Sequence, residues 1–238
     1  MKKINNVQAT PYAWPFDRAV DLKQLAVLII DMQIDFCGED GYVDRMGYDI
    51  ALTQSPIQPL IQLLHTLRQY PDILVIHTRE GHRPELVDLA QNKKWRSQQL
   101  GAGIGDPGPM GKILIRGEVG WEIIPELAPI AGEIVIDKPG KSAFYATDLA
   151  HILRTTGKTH LVLTGITTDV CVHTTLREAN DYGFECLMLI DCTAATTLTN
   201  KAAAIEMIHM QGGVFGATTT SEAFTLALNQ THSHSVEL

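Results

Sequence analysis

The sequence predicts an α/β fold of three layers, α/β/α, built on a Rossmann-like sheet of six parallel strands. Three observations carry that prediction. Leu25–Ile30 reads LAVLII, a continuous apolar run of the kind buried on both faces of a parallel sheet. Short β-branched runs then alternate with stretches of helical period over short connections, the pattern of strands joined by crossover helices. A chain of 238 residues, 45% hydrophobic and without linker-like stretches or internal repeats, has enough apolar surface for one such core.

Taken in order, residues 1–20 read as an N-terminal arm on the surface, pinned by Tyr12, Trp14 and Phe16 between Pro11 and Pro15. The main body is expected over 21–228. After the first strand, Leu25–Ile30, comes a polar loop from Gly38 to Gly47. Pro56 to Tyr70 carries Ile57, Leu60, Ile61, Leu64 and Leu67 at helical spacing. Ile73–His77 is the second strand. Asn92 to Gly111 is rich in Gly and Pro and reads as a long irregular loop, a form usually tied to binding or to a lid. Trp95 and Trp121 bracket it as anchors. Lys112–Ile115, Ile134–Ile136, Leu161–Leu163 and Cys186–Ile190 are the next four strands. Helices are expected from Ser142 to Arg154, Val170 to Tyr182, Asn200 to Met210 and Ser221 to Leu228. A last short strand follows Phe215, and 229–238 reads as a flexible tail.

Composition excludes several function classes. A net charge of −8 lacks the basic footprint of a nucleic-acid binder. No apolar run approaches the ~18 residues of a membrane span, and MKKINNVQAT has no apolar core of a signal peptide. Cys37, Cys171, Cys186 and Cys192 show no CxxC spacing, so neither a zinc site nor a disulfide scaffold is expected, and free thiols point to the cytoplasm.

Chemistry-bearing residues gather at strand ends, where parallel sheets bind ligands. Gly165-Ile166-Thr167-Thr168-Asp169-Val170 is a tight turn between a strand and a helix, and Cys171 enters the first helical turn. Unpaired amides and the helix dipole favour a thiolate there, and the same amides can hold an oxyanion. The plainer reading is a buried structural cysteine, which suits Cys186 in its apolar strand and Cys192. Asp31 closes the first strand, either as a general base or as a turn aspartate; Asp35 fits a structural turn. Lys138 follows the strand at Ile134–Ile136, either as a surface lysine or as a cation that favours a thiolate and pairs with a carboxylate.

Three motifs join these residues. IIDMQIDF at 29–36, DKPGKSAFYATDL at 137–149 and TGITTDVCVHTTLREANDYGF at 164–184 resemble the isochorismatase-like cysteine hydrolases, in family order and over nearly the whole chain. The resemblance implies a catalytic triad of Asp31, Lys138 and Cys171. It also implies a cis peptide at Ile166–Thr167 and an oxyanion hole from the Thr167 and Cys171 amides. The implied activity is hydrolysis of a linear C–N amide or ureido bond through a cysteine thioester. Biuret, cleaved to allophanate and ammonia, is the expected substrate, with ureidoacrylate or another N-carbamoyl amide as the alternative. Nicotinamidases of the family carry a metal-binding Asp-x-His where this chain reads His77-Thr78-Arg79, so no metal and no cofactor are expected. A non-catalytic relative and a redox protein are the remaining readings; no resolving cysteine stands near Cys171 in sequence to support the second.

For a small neutral amide, the resemblance implies that Phe36 supplies an apolar wall, with Ile166 as a further substrate-binding residue. Gln211, before paired glycines, reads as an amide partner or as a surface glutamine. Lys141 reads as a second ammonium on a substrate carbonyl or as a solvated lysine. Arg79 and Glu80 are expected to pair with each other or to shape the entrance. Partners other than substrate are expected to be further copies of the chain, as a dimer or tetramer.

Overall fold

In the computed structural model the described residues are 2–233. Strands are β1 (Lys3–Val7), β2 (Trp14–Asp21), β3 (Leu25–Ile30), β4 (Leu74–Glu80), β5 (Pro107–Gly108), β6 (Gly111–Lys112), β7 (Ile134–Lys138), β8 (His160–Ile166), β9 (Glu185–Ala194) and β10 (Ala217–Thr219). Helices are α1 (Ile34–Cys37), α2 (Tyr42–Arg45), α3 (Ile50–Gln54), α4 (Ile57–Leu67), α5 (Gln91–Gln99), α6 (Leu149–Thr155), α7 (His173–Asp181), α8 (Leu198–Gly213) and α9 (Ser221–Ser233).

Six strands form one parallel sheet in the order β10-β9-β8-β3-β4-β7. Alternation along β3 makes two cores. Leu25, Val27 and Ile29 pack with Leu60, Leu64 and Leu67 of α4 and with Phe224 of α9. Ala26, Leu28 and Ile30 pack with Leu149 and Leu153 of α6, Leu176 of α7 and Ile208 of α8. All six β3 side chains are therefore buried, which is why that strand reads as an unbroken apolar run. Strand order reverses between β3 and β8, so their carboxyl ends flank the crevice where such sheets bind ligands. No helix among the described residues is long and apolar enough to cross a membrane.

The strand number matches expectation, but one member differs. Lys112–Ile115 does not join the sheet. Gly111–Lys112 pairs only with Pro107–Gly108, and Leu114 takes a left-handed φ of 51°. Its N–H donates to the Asp35 carboxylate at 2.8 Å, and the apolar trio Ile113, Leu114 and Ile115 is buried by loop packing instead of a ladder. The sixth strand is β10.

Three helices also depart from the expected bounds. Ser142–Asp148 forms turns, because local side chains capture the backbone: Thr147 Oγ1 donates to the Ala143 carbonyl at 2.6 Å and the Phe144 N–H to Ser142 Oγ at 3.1 Å. The helix α6 starts only at Leu149. The long Gly/Pro segment contains a helix after all, α5. α8 continues past Met210 but kinks at Met210–Gly212.

The N-terminal arm is more than a tether. β1 and β2 pair antiparallel, and Ile4, Val7, Trp14 and Val20 are buried in the first core, while Phe16 stands 72% exposed. Thr10 exchanges both backbone hydrogen bonds with Thr218, at 2.9 and 2.8 Å, and so covers the outer edge of β10. α9 runs through Ser233, past the expected start of the tail; the expectation for 234–238 lies outside the described residues.

Gly165 deserves its position near the end of β8. It has φ of +98°, and a Cβ there would run into the Ile30 backbone of the neighbouring strand. Gly165→Ala is expected to destabilise the protein by about 2–4 kcal/mol, from overpacking plus a left-handed alanine. Chemical denaturation of the variant checks this; an unchanged midpoint would contradict the packing described.

Candidate active site

Three strand carboxyl ends and one turn converge on a buried cluster. Asp31 follows β3 directly, with φ of 51°, a conformation aspartate tolerates. Its backbone N–H bonds the Thr78 carbonyl of β4 at 3.1 Å, and its Oδ1 accepts from Thr78 Oγ1 at 2.6 Å. Glu80 and Lys138, the last residues of β4 and β7, are ladder partners. After β8 the Ile166–Thr167 peptide is cis. Thr168–Val172 then forms a single wide π-helical turn that leads into α7. Cys171 lies in that turn, one step earlier than the ordinary α-helical turn expected, and its carbonyl accepts from Thr175 Oγ1 at 2.7 Å.

Asp31, Glu80 and Lys138 are fully buried, and Cys171 is 3% exposed. The Lys138 ammonium lies 2.7 Å from Asp31 Oδ2 and 3.6 Å from Glu80 Oε2, and donates to the Gly140 carbonyl at 2.9 Å. The Cys171 thiol donates to Glu80 Oε2 at 3.2 Å. Glu80 Oε1 receives two further ammonium groups, Lys93 at 2.7 Å and Lys141 at 2.9 Å.

The electrostatics follow. Burial pushes the Cys171 thiol well above its ordinary range, with Lys138 and Lys141 pulling it down and Asp31 and Glu80 pushing it up. That direction is the one of a protonated thiol. Burial opposes the charge on Lys138, yet Asp31, the sulfur and Glu80 outweigh it and hold the ammonium protonated. Burial likewise opposes the Glu80 carboxylate, but Lys141, Lys138 and Lys93 hold it well below the usual carboxylate range.

Asp31, Glu80 and Cys171 bring three donor atoms within 4.8 Å of one another. A metal ion fits poorly there, because the Lys138 ammonium is already wedged between the two carboxylates. His77 is held elsewhere, its Nε2 3.0 Å from Glu133.

The sulfur opens onto a cavity of about 240 Å³ lined by Phe36, Tyr42, Lys141, Thr167 and Thr196 among others. Phe36 and Lys141 both line this cavity. Ile166 does not line this cavity; its side chain is fully buried in the core on one face of the sheet. Gln211 is not brought to the site within this chain. It is exposed, in the kink of α8 that leads to the amino end of β10, while the cluster sits at the carboxyl ends. A larger cavity of about 390 Å³, lined by Asn92, Lys93, Arg96 and Tyr145, shares Tyr42 and Lys141 as a common wall.

Glu80 and Lys93 are the residues that sequence reasoning passes over. Neighbours in a strand face opposite ways, so Arg79 and Glu80 cannot pair. Arg79 instead bonds Asp137 and Glu122, each at 2.8 Å, and lies 3.6 Å over the buried Trp121 ring. Trp121 anchors the segment as expected; Trp95 is 61% exposed and does not. A carboxylate ending an apolar strand is the same signal that marks Asp31, so Glu80 is legible in principle. Lys93, on a polar helix, carries no such mark. Burial also pushes the other thiols up, Cys37 and Cys192 to about 12 and Cys186 higher still.

The isochorismatase domain profile matches residues 25–223. The chain belongs to the isochorismatase family. It is 35% identical over 216 residues to ureidoacrylate amidohydrolase RutB of Yersinia enterocolitica, covering 89% of this chain and 91% of the relative. Among solved structures, a cysteine hydrolase from Pseudomonas syringae pv. phaseolicola 1448A superposes with a TM-score of 0.75 at 24% identity, over 95% of this chain and 98% of that one. N-carbamoylsarcosine amidase from Thermoplasma acidophilum superposes with a TM-score of 0.63 at 21% identity, over 84% and 97%. These two likenesses speak for the shared fold.

Beside the site, Asp35 is a buried structural carboxylate. Burial raises it to about 6, against the lowering effect of hydrogen bonds from the Leu114 and Tyr42 backbone. Its folded value exceeds its unfolded one, so between about pH 4 and 6 the native chain holds a proton that the unfolded chain has released. The stability this gives is complete below about pH 4 and is lost as pH rises through 6. Asp35→Asn is expected to flatten that decline in a Tm series from pH 4 to 7; parallel curves for the two proteins would contradict the assignment.

Proposed function

We propose that this isochorismatase-family amidohydrolase cleaves a small, neutral ureido amide through a Cys171 thioester, with biuret as the preferred substrate. The observation that carries the substrate class is the lining of the catalytic cavity, where Phe36, Val43 and Met46 stand beside the neutral hydroxyls of Tyr42 and Thr196. Lys141 is the only cation among the described residues lining it, and its ammonium is bound to Glu80. Arg79 is held by Asp137 and Glu122. A substrate carboxylate would have to share Lys141 with Glu80, whereas a neutral amide needs only hydrogen bonds and the apolar wall of Phe36.

Asp31 takes the thiol proton as Sγ attacks the terminal carbonyl, and Lys138 keeps the new thiolate compensated. The tetrahedral oxyanion is held by the Thr167 and Cys171 N–H groups. Asp31 returns the proton to the departing nitrogen, the C–N bond breaks and ammonia leaves. Asp31 then deprotonates a water that attacks the thioester. The C–S bond breaks, allophanate forms and the thiol is restored.

Ureidoacrylate is the second reading, favoured by the 35% identity to ureidoacrylate amidohydrolase RutB. Cys171→Ala is expected to leave a folded protein whose turnover falls at least ~10⁴-fold. Side-by-side kcat/KM for biuret, ureidoacrylate, N-carbamoylsarcosine and nicotinamide decides the substrate; a clear preference for a carboxylate-bearing member would overturn biuret.

A further inference from the structure

Triad chemistry uses one carboxylate, and this site holds two. Glu80 is fully buried, and its two oxygens divide the work: Oε2 accepts from the Cys171 thiol at 3.2 Å, while Oε1 bridges Lys93 and Lys141 at 2.7 and 2.9 Å. Asp31 is differently engaged, with Thr78 on Oδ1 and Lys138 beside Oδ2. Lys93 comes from α5, outside the sheet, and its ammonium also donates to the Pro139 carbonyl at 2.8 Å. That bond ties α5 to the loop that follows Lys138 and carries Lys141.

We propose that Glu80 is a fourth catalytic residue, which orients the Cys171 thiol before attack, and that Lys93 is a positioning residue that acts on the sulfur through Glu80. The inference rests on Cys171 being the nucleophile, but not on which amide is cleaved.

The charge balance supports it. The groups that face the sulfur are Asp31 from the end of β3, Glu80 from β4, Lys138 from β7, Lys141 from the following loop and the Tyr42 phenol from α2, with Lys93 one bond behind Glu80. Three ammonium groups meet two carboxylates, so the cluster carries one excess positive charge while Cys171 is a thiol, and it keeps that charge when the thiol proton moves to Asp31 within it. Glu80 thus serves two ends. It holds the S–H bond at rest, from which the thiol turns to Asp31 as it attacks, and it keeps Lys93 and Lys141 from over-stabilising a thiolate that would then be a poorer nucleophile and a better leaving group.

Each variant then moves the thiol in a known direction. Glu80→Gln removes the nearest like charge and frees two ammonium groups to face the sulfur. Lys93→Met leaves Glu80 less compensated, so its charge bears more strongly on the sulfur. Glu80→Asp keeps the charge and only shortens its reach.

The test follows the rate of iodoacetamide alkylation of Cys171 against pH, without substrate, with the modified cysteine identified by mass spectrometry. Glu80→Gln is expected to lower the midpoint by about one pH unit or more. Lys93→Met is expected to raise it by about half a unit, and Glu80→Asp to return it toward the parent value. Amide turnover should fall ~10-fold or more in Glu80→Gln even as alkylation at neutral pH accelerates. Midpoints that do not move, or that move the same way in Glu80→Gln and Lys93→Met, would overturn the proposal and leave a merely structural ion cluster. If Glu80→Gln does not fold, the upward shift in Lys93→Met, on a largely exposed helix, decides alone. Cys171→Ala losing activity while these midpoints stand still would refute this role and leave the hydrolase reading intact.

Discussion

The ammonium of Lys138 is the constraint on which the rest depends. A charge with no exposed surface survives in a protein interior only beside compensating groups, and removing one partner of such a pair costs about 3–5 kcal/mol. Lys138 sits at the end of β7, so its partners must come from other strands. Asp31 at the end of β3 and Glu80 at the end of β4 supply them. For those three ends to meet, the strands must run parallel and in register, and the pairing of Glu80 with Lys138 in the ladder sets that register. The sheet and the site are therefore one arrangement. In the proposed mechanism the same ammonium that keeps two carboxylates buried also provides the counter-charge for a sulfur anion.

Much of this was legible in the chain because strand ends announce themselves. An unbroken apolar run followed by a single charged residue marks Asp31, and the same logic reaches Lys138 and the turn before Cys171. What escaped has physical causes. Glu80 hides behind Arg79, since a reading along the chain pairs neighbours that the pleat sends to opposite sides. Lys112–Ile115 looks like a strand because its apolar residues are buried, but burial is satisfied by loop packing over Asp35. The turns before α6 arise from Ser142 and Thr147 hydroxyls, whose competition with helix formation no periodicity records. Gln211 looks like a site residue beside its glycines, yet strand direction carries it to the far end of the sheet.

The two cavities give the ion cluster a second meaning. Tyr42 and Lys141 line both, and the Lys93–Glu80–Lys141 bridge runs between them. A wall made of charges is rigid while every charge is matched and yields when one is not. α5 contributes Lys93 to that wall, so a segment that reads as loop in the sequence is bound into the catalytic electrostatics.

The Thr10–Thr218 clasp bears on how this molecule behaves in a crowded solution. Open sheets end in rows of unsatisfied amides, and such rows recruit any passing extended chain. Here the segment between β1 and β2 is folded back over the last strand of the sheet through a single bridge, Thr10 to Thr218. That clasp makes the sheet finite. Colloidal behaviour therefore depends on a threonine far from any chemistry, and trimming the front of the chain trades a hidden seam for an adhesive one.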